Sequence, residues 1–311
     1  MGSWFLATFL TVALLYSGLQ SSEAGLIDYN SANKRQSTLS KNFGKLHGAL
    51  KWRAKRAASI FFEEKPWRKW KMPISYYVAE SFTGVEKAVI NLAVSVITCY
   101  VPCIQFSRSL TKKLGIANGQ FETSQNHSQI QFHKQSASEC GGLSPVGHKG
   151  INVIRLNTSC EGYLGTLILH EVIHSLGARH EHQRTDRDEF VQILDTNIED
   201  DYLGQYAIDK ESTSYGVKYD YKSIMHYKNR LFGKNGAMTM KAEKPGVKDN
   251  ELGGDWLTAN DVKQLERMYC VDESCRDSRR ECGLDATAGK CTSSDIKKQC
   301  PRSCGLCDYE D

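Results

Sequence analysis

Residues 170–188 read His-Glu-Val-Ile-His-Ser-Leu-Gly-Ala-Arg-His-Glu-His-Gln-Arg-Thr-Asp-Arg-Asp, and four of the chain's nine histidines fall within 170–182. No other stretch restricts the fold so much. His170 and His174 stand four apart, so on a helix they project from one face. At that spacing two imidazoles bind a single Zn²⁺, and Glu171 points toward the open side of the metal. Apolar Leu164, Leu167, Ile168, Leu169, Val172 and Ile173 run before and between them, as a buried helix requires. Gly177 then ends the helix, because glycine takes the backbone angles of a sharp turn. That turn can return His180 to the metal as a third ligand. Three histidines leave one position open for water, the pattern of a catalytic zinc rather than a structural one. A bare H-E-x-x-H is a weak signal; the full H-E-x-x-H-x-x-G-x-x-H, with a methionine turn at Ser223-Ile224-Met225-His226-Tyr227, is a strong one.

Glu181 directly after the third histidine, then Arg184-x-Asp186-Arg187-Asp188 and the Ser-Ile-Met-His-Tyr turn, resemble the astacin family of metzincin proteases over about residues 57–270. The resemblance implies an α+β fold, a two-lobed catalytic domain with a zinc cleft and one Zn²⁺ per chain. It implies zinc-activated water with Glu171 as general base, Tyr227 beside the metal to hydrogen-bond the oxyanion, and Met225 as an apolar floor under the ligands. It makes residues 151–156 the sheet edge on which a peptide substrate lies. It pairs Cys103 with Cys270 and Cys140 with Cys160. Cys99 is then left over, as a free buried thiol, an intermolecular bridge or a substitute partner near Cys103.

The remaining sequence expects an extracellular precursor. Residues 4–16 form an apolar run too short for a comfortable membrane span, and Ser22-Glu23-Ala24 suits cleavage of a signal peptide at residues 1–24. Residues 25–56 are polar and basic, with eight lysines and arginines against Asp28 alone, and read as a propeptide ending in Arg53-Ala54-Lys55-Arg56. Cleavage after Arg56 by an activating protease frees Ala57. By the resemblance, that new N-terminus lies buried near Glu181, for which an ammonium group is a suitable partner. The Phe-x-Gly-Asp string of family propeptides has no counterpart: Lys45 follows Phe43-Gly44. The net charge of +4 is too small and dispersed to argue for nucleic acid.

Within the peptidase region, residues 73–80 and Gln129–Phe132 read as strands, as does Cys103–Phe106. Val85, Ala88, Val89, Leu92, Ala93 and Val96 give an amphipathic helix, and Thr258 with Asp261 caps a final helix ending at Cys270. Six of the eleven cysteines lie in residues 275–307, a segment too short to bury a core without disulfides. Its spacing resembles the ShK toxin-like (ShKT) module, which implies bridges Cys275–Cys307, Cys282–Cys300 and Cys291–Cys304. Asn126 and Asn157 stand in glycosylation tripeptides. The expected activity is secreted zinc endopeptidase acting on proteins or peptides. Two rivals are a catalytically silent secreted binding protein or venom-type component working through the C-terminal module, and a zinc peptidase with two histidines and Glu199 as ligands.

Overall fold

The computed structural model describes residues 59–113, 116–117, 120–121, 128–135, 141–159, 162–272 and 274–307. Residues 1–56, where a signal peptide and propeptide are expected, and Ala57, Asn126, Cys140 and Cys160 lie outside the described residues. Five strands form the main sheet in the order β2-β1-β5-β7-β6: β1 (Ile74–Val78), β2 (Phe106–Arg108), β5 (Gln129–Lys134), β6 (Gly141–Leu143) and β7 (Ile151–Asn157). All pair in parallel except β6, which runs antiparallel to β7. A short hairpin, β3 (Ile116–Ala117) with β4 (Gln120–Phe121), stands apart from this sheet.

Two helices pack against the sheet and against each other. Helix α1 (Gly84–Tyr100) starts in a reciprocal cap between Thr83 and Glu86, and buries Ile90, Ala93, Val94, Val96 and Ile97. Helix α2 (Leu164–Leu176) carries the paired histidines and is buried along most of its length. Together with Phe132, Ile154, Leu156 and the apolar face of α3 (Ala259–Tyr269) they form the larger core. A second, aromatic core gathers Tyr202, Tyr206, Tyr219 and Phe232 with Val191 and Met240, which lie on the antiparallel pair β8 (Val191–Ile193) and β9 (Met240–Ala242). With α2 inside the larger core and the aromatic core formed by later residues, this region is two-lobed. No helix of the described residues is long and apolar enough to cross a membrane.

The structure corrects three expectations. The strand expected at Cys103–Phe106 begins only at Phe106. Before it, the chain turns, with the Ile104 N–H donating to the Val101 carbonyl and Cys103 bonded to Cys270 across a separation of 167 residues. Strand β7 is not the sheet edge, because Gly141, Gly142 and Leu143 of β6 pair with Asn157, Leu156 and Arg155. The two glycines have too little strand propensity to announce that edge. Cys99 is unpaired and exposed, so it is not a buried thiol.

In the C-terminal segment, α4 (Cys282–Thr287) and α5 (Ser294–Gln299) are held by Cys275–Cys307, Cys282–Cys300 and Cys291–Cys304. Asn157 is only 4% exposed and its Oδ1 accepts from the Ser159 N–H and hydroxyl.

Candidate active site

The end of α2 is fixed by partners from the whole domain. An α-helix leaves its last carbonyls unpaired unless something else donates to them. Gly177 takes φ 112° as the cap, its N–H returning to His174 and that of Ala178 to Ile173. The Trp70 indole donates to Ser175 and the Tyr269 hydroxyl to Leu176. The Gly147 and Ile60 amides donate to His174 and Gly177. A Cβ on Gly177 would stand 3.0 Å from the Phe62 ring, so the turn tolerates little but glycine.

From this anchored turn the chain brings His180 back to His174 and His170. The Nε2 atoms of His170 and His180 lie 3.3 Å apart, and those of His174 and His180 3.1 Å apart. Zinc–nitrogen bonds of about 2.0–2.1 Å at tetrahedral angles separate two ligand nitrogens by about 3.3–3.4 Å. The rings are oriented from behind: His170 Nδ1 faces the Ile224 carbonyl and His174 Nδ1 the Ala178 carbonyl, both at 2.8 Å. Those bonds place the ring protons on Nδ1 and leave the Nε2 lone pairs for a metal. Burial pushes all three imidazoles toward the neutral form, furthest for His174 and His180, whose histidine neighbours add repulsion. The donor set therefore fits zinc. Among the described residues no other three His, Cys, Asp or Glu side chains converge in this way, and Glu199 is not in the group.

Glu171 follows the first histidine and is 5% exposed; burial raises its carboxyl to about 8. It lies under the edge strand. A Cβ on Gly142 would fall 2.6 Å from Glu171 Cγ and 2.7 Å from Oε1. No local pattern around Gly142 signals this role. Gly142→Ala is expected to displace the carboxyl and lower turnover by about 10²-fold with zinc content unchanged, since a shift of about 1 Å has that effect. Turnover and metal content on the same preparation check it.

The methionine turn lies beneath. Met225 is buried, and its carbonyl accepts from the Glu181 N–H at 2.9 Å. Asp261, seen in sequence only as a helix cap, also accepts from the Ser223 hydroxyl and the Ile224 N–H, tying α3 to the turn. His226 turns away and pairs with the Tyr219 hydroxyl at 2.8 Å. The Tyr227 ring is tilted against His180 and His182, with centroids 4.3 and 4.2 Å away. Burial holds the Tyr227 phenol protonated, and it is close enough to Glu171 to feel that charge.

Glu181 does not lack a cation. Arg184, itself 2% exposed, donates to Glu181 Oε1 at 2.8 Å and grips Asp186 with two further bonds. The Asp220 N–H reaches the same Glu181 oxygen at 3.0 Å. Burial lifts the Glu181 carboxyl to about 7, against the pull of Arg184 and Asp220. A small cavity beside it is lined by Ala178, Arg179, Asp220, Met225 and Gln264.

Comparison with known proteins agrees with this geometry. The sequence model of the astacin peptidase family matches residues 62–270, and that of the ShK domain-like family matches residues 274–307. The Caenorhabditis elegans protein "Zinc metalloproteinase nas-11" is 31% identical over 264 residues, covering 81% of this chain and 43% of the relative. "Zinc metalloproteinase nas-9" of the same organism is 31% identical over 262 residues, covering 80% of this chain and 45% of the relative. The chain thus spans less than half the length of these curated relatives. Among solved structures, High choriolytic enzyme 1, a hatching enzyme zinc-protease from Oryzias latipes, aligns with TM-score 0.53 at 25% identity, covering 65% of this chain and 94% of that one.

Proposed function

Since the chain belongs to the astacin family, we propose that it is a secreted zinc endopeptidase made as a latent precursor and activated by cleavage after Arg56. In this reading residues 1–24 are a signal peptide, 25–56 a propeptide, 57–270 the peptidase domain and 275–307 the ShKT-like module. The observation that carries it is the convergence of the His170, His174 and His180 Nε2 atoms beside Glu171 and Tyr227.

Zinc held by these nitrogens supplies Lewis-acid activation of water and of a peptide carbonyl. Glu171 takes the proton of the attacking water and passes it to the leaving amine. The Tyr227 hydroxyl donates to the oxyanion as it develops. Strand β6 is the free edge over Glu171, and an extended peptide laid along it gains main-chain hydrogen bonds that hold the scissile bond in place.

Activation follows from the same region. Ser59 Oγ accepts from Gln264, which lines the cavity beside Glu181. Two residues of chain span about 7 Å, so the ammonium of Ala57, once freed, is within reach of that cavity. It would add a second cation to the Glu181–Arg184 pair.

The test is peptidase activity of the full chain on a denatured protein, before and after cleavage at Arg56, with and without a zinc chelator. Activity is expected only after cleavage, is lost with chelator and returns with zinc. A cleaved, zinc-loaded protein without activity would instead be a silent binding protein.

A further inference from the structure

The six-cysteine segment is not hung loosely from the peptidase. Arg302 leaves it and enters the catalytic domain, where its Nη1 lies 2.8 Å from Glu63 Oε1, with the two side chains only 3% and 8% exposed. The Arg302 Nε and Nη2 donate to the Cys275 and Asp272 carbonyls at 3.1 and 3.4 Å, so the guanidinium is fixed from its own side. The other oxygen of Glu63 stands 3.1 Å from the Tyr215 hydroxyl. That hydroxyl accepts from the Phe62 N–H at 2.9 Å and lies 3.1 Å from the Ile60 carbonyl.

Tyr215 is fully buried at φ 48°, a region that side chains seldom occupy, and Gly216 follows at φ 70°. Arg267 bridges this turn to the module by donating to the Tyr215 and Ser303 carbonyls. A Cβ on Gly216 would fall 2.2 Å from the Ser303 carbonyl oxygen, and one on Gly283 2.6 Å from Ser214 Oγ. The two bodies therefore meet backbone to backbone. On its other side, the 59–62 segment holds the end of the zinc helix. The Ile60 N–H donates to Gly177, and Ser59 pairs with Ala178, whose carbonyl orients His174.

We infer that the C-terminal module is a clamp on the N-terminal segment of the peptidase, with Arg302 a positioning residue that acts through Glu63 and Tyr215 on the turn leading to His180. Removing Arg302 leaves Glu63 buried without its cation, whereas removing Glu63 leaves Arg302 with only the pull of Asp277, so the grip depends on the pair. The effect on turnover rests on the proteolytic reading above; the hold on residues 59–62 does not.

The experiment uses the full chain cleaved after Arg56, as wild type, Arg302→Met, Glu63→Gln and the double variant. Amide hydrogen exchange is read at Ile60 and Phe62, with the amides of β5 as reference. Arg302→Met is expected to speed exchange at Ile60 and Phe62 by about tenfold or more while β5 is unchanged. Its kcat falls with KM and zinc content kept, and the double variant recovers part of the loss. If Arg302→Met does not fold, Glu63→Gln carries the test, because it leaves the module untouched. Unchanged exchange at Ile60 and Phe62 in a folded variant overturns the clamp, as does a uniform rise that includes β5. If the wild type proves inactive, the exchange measurement still decides the clamp, and only the proteolytic reading fails.

Discussion

Glu171→Gln is expected to lower kcat by about 10²–10⁴-fold, the range a positioned general base contributes, with zinc still bound and KM little changed. The amide has nearly the shape of the carboxyl, so it fits under Gly142 without disturbing the neighbours of Glu171. It cannot accept a proton. Burial raises this carboxyl to about 8, which marks a site where charge is expensive. A divalent cation beside it would favour the ionised form that serves as the base. Glutamine removes that buried charge, and the variant's melting temperature should not fall. Zinc content, thermal melting and kcat on one preparation separate the possibilities. Near-full turnover with glutamine at this position would remove Glu171 from the chemistry. Lost zinc would mean that the substitution had damaged the metal site instead.

The parts of this site legible in sequence are those with fixed local spacing. His170, His174 and Gly177 sit on one helix and its cap, where a repeat of 3.6 residues and the special angles of glycine determine what each does. His180 is within reach because the turn is short, and Met225 because its turn is a compact motif. The residues that escape such a reading act across long separations. Gly142 matters for the side chain it lacks, facing a residue on another element. Asp261 reads as a helix cap, yet it also holds the methionine turn from 37 residues away. Arg302 and Glu63 come from opposite ends of the described chain, and nothing in either local sequence announces the other. The sheet edge is hidden for a related reason: two glycines look like a loop until β7 supplies the pairing.

His180→Ala should abolish metal binding at stoichiometric zinc. Loss of an outer-shell partner alone costs about 10–100-fold in metal affinity, and a direct ligand is worth more. The rival ligand set replaces His180 by Glu199, and the geometry opposes it: His180 Nε2 lies 3.1 Å from that of His174, whereas Glu199 is outside the converging group. Zinc binding also reports on itself through stability. At free zinc about 1,000-fold above its dissociation constant, the folded protein gains about 4 kcal/mol. For a domain of about 200 residues that corresponds to a melting shift of roughly 8–16 °C. Chelator should therefore lower the wild-type melting temperature by that amount and leave His180→Ala nearly unmoved. Because His180 packs against Tyr227 and stacks near His182, alanine also opens a gap there, and His180→Gln, closer in volume, controls for it. Glu199→Ala should behave as wild type in zinc content and in its response to chelator. The reverse pattern, with zinc kept by His180→Ala and lost by Glu199→Ala, would show that the turn after Gly177 serves packing and that the third ligand comes from the second lobe.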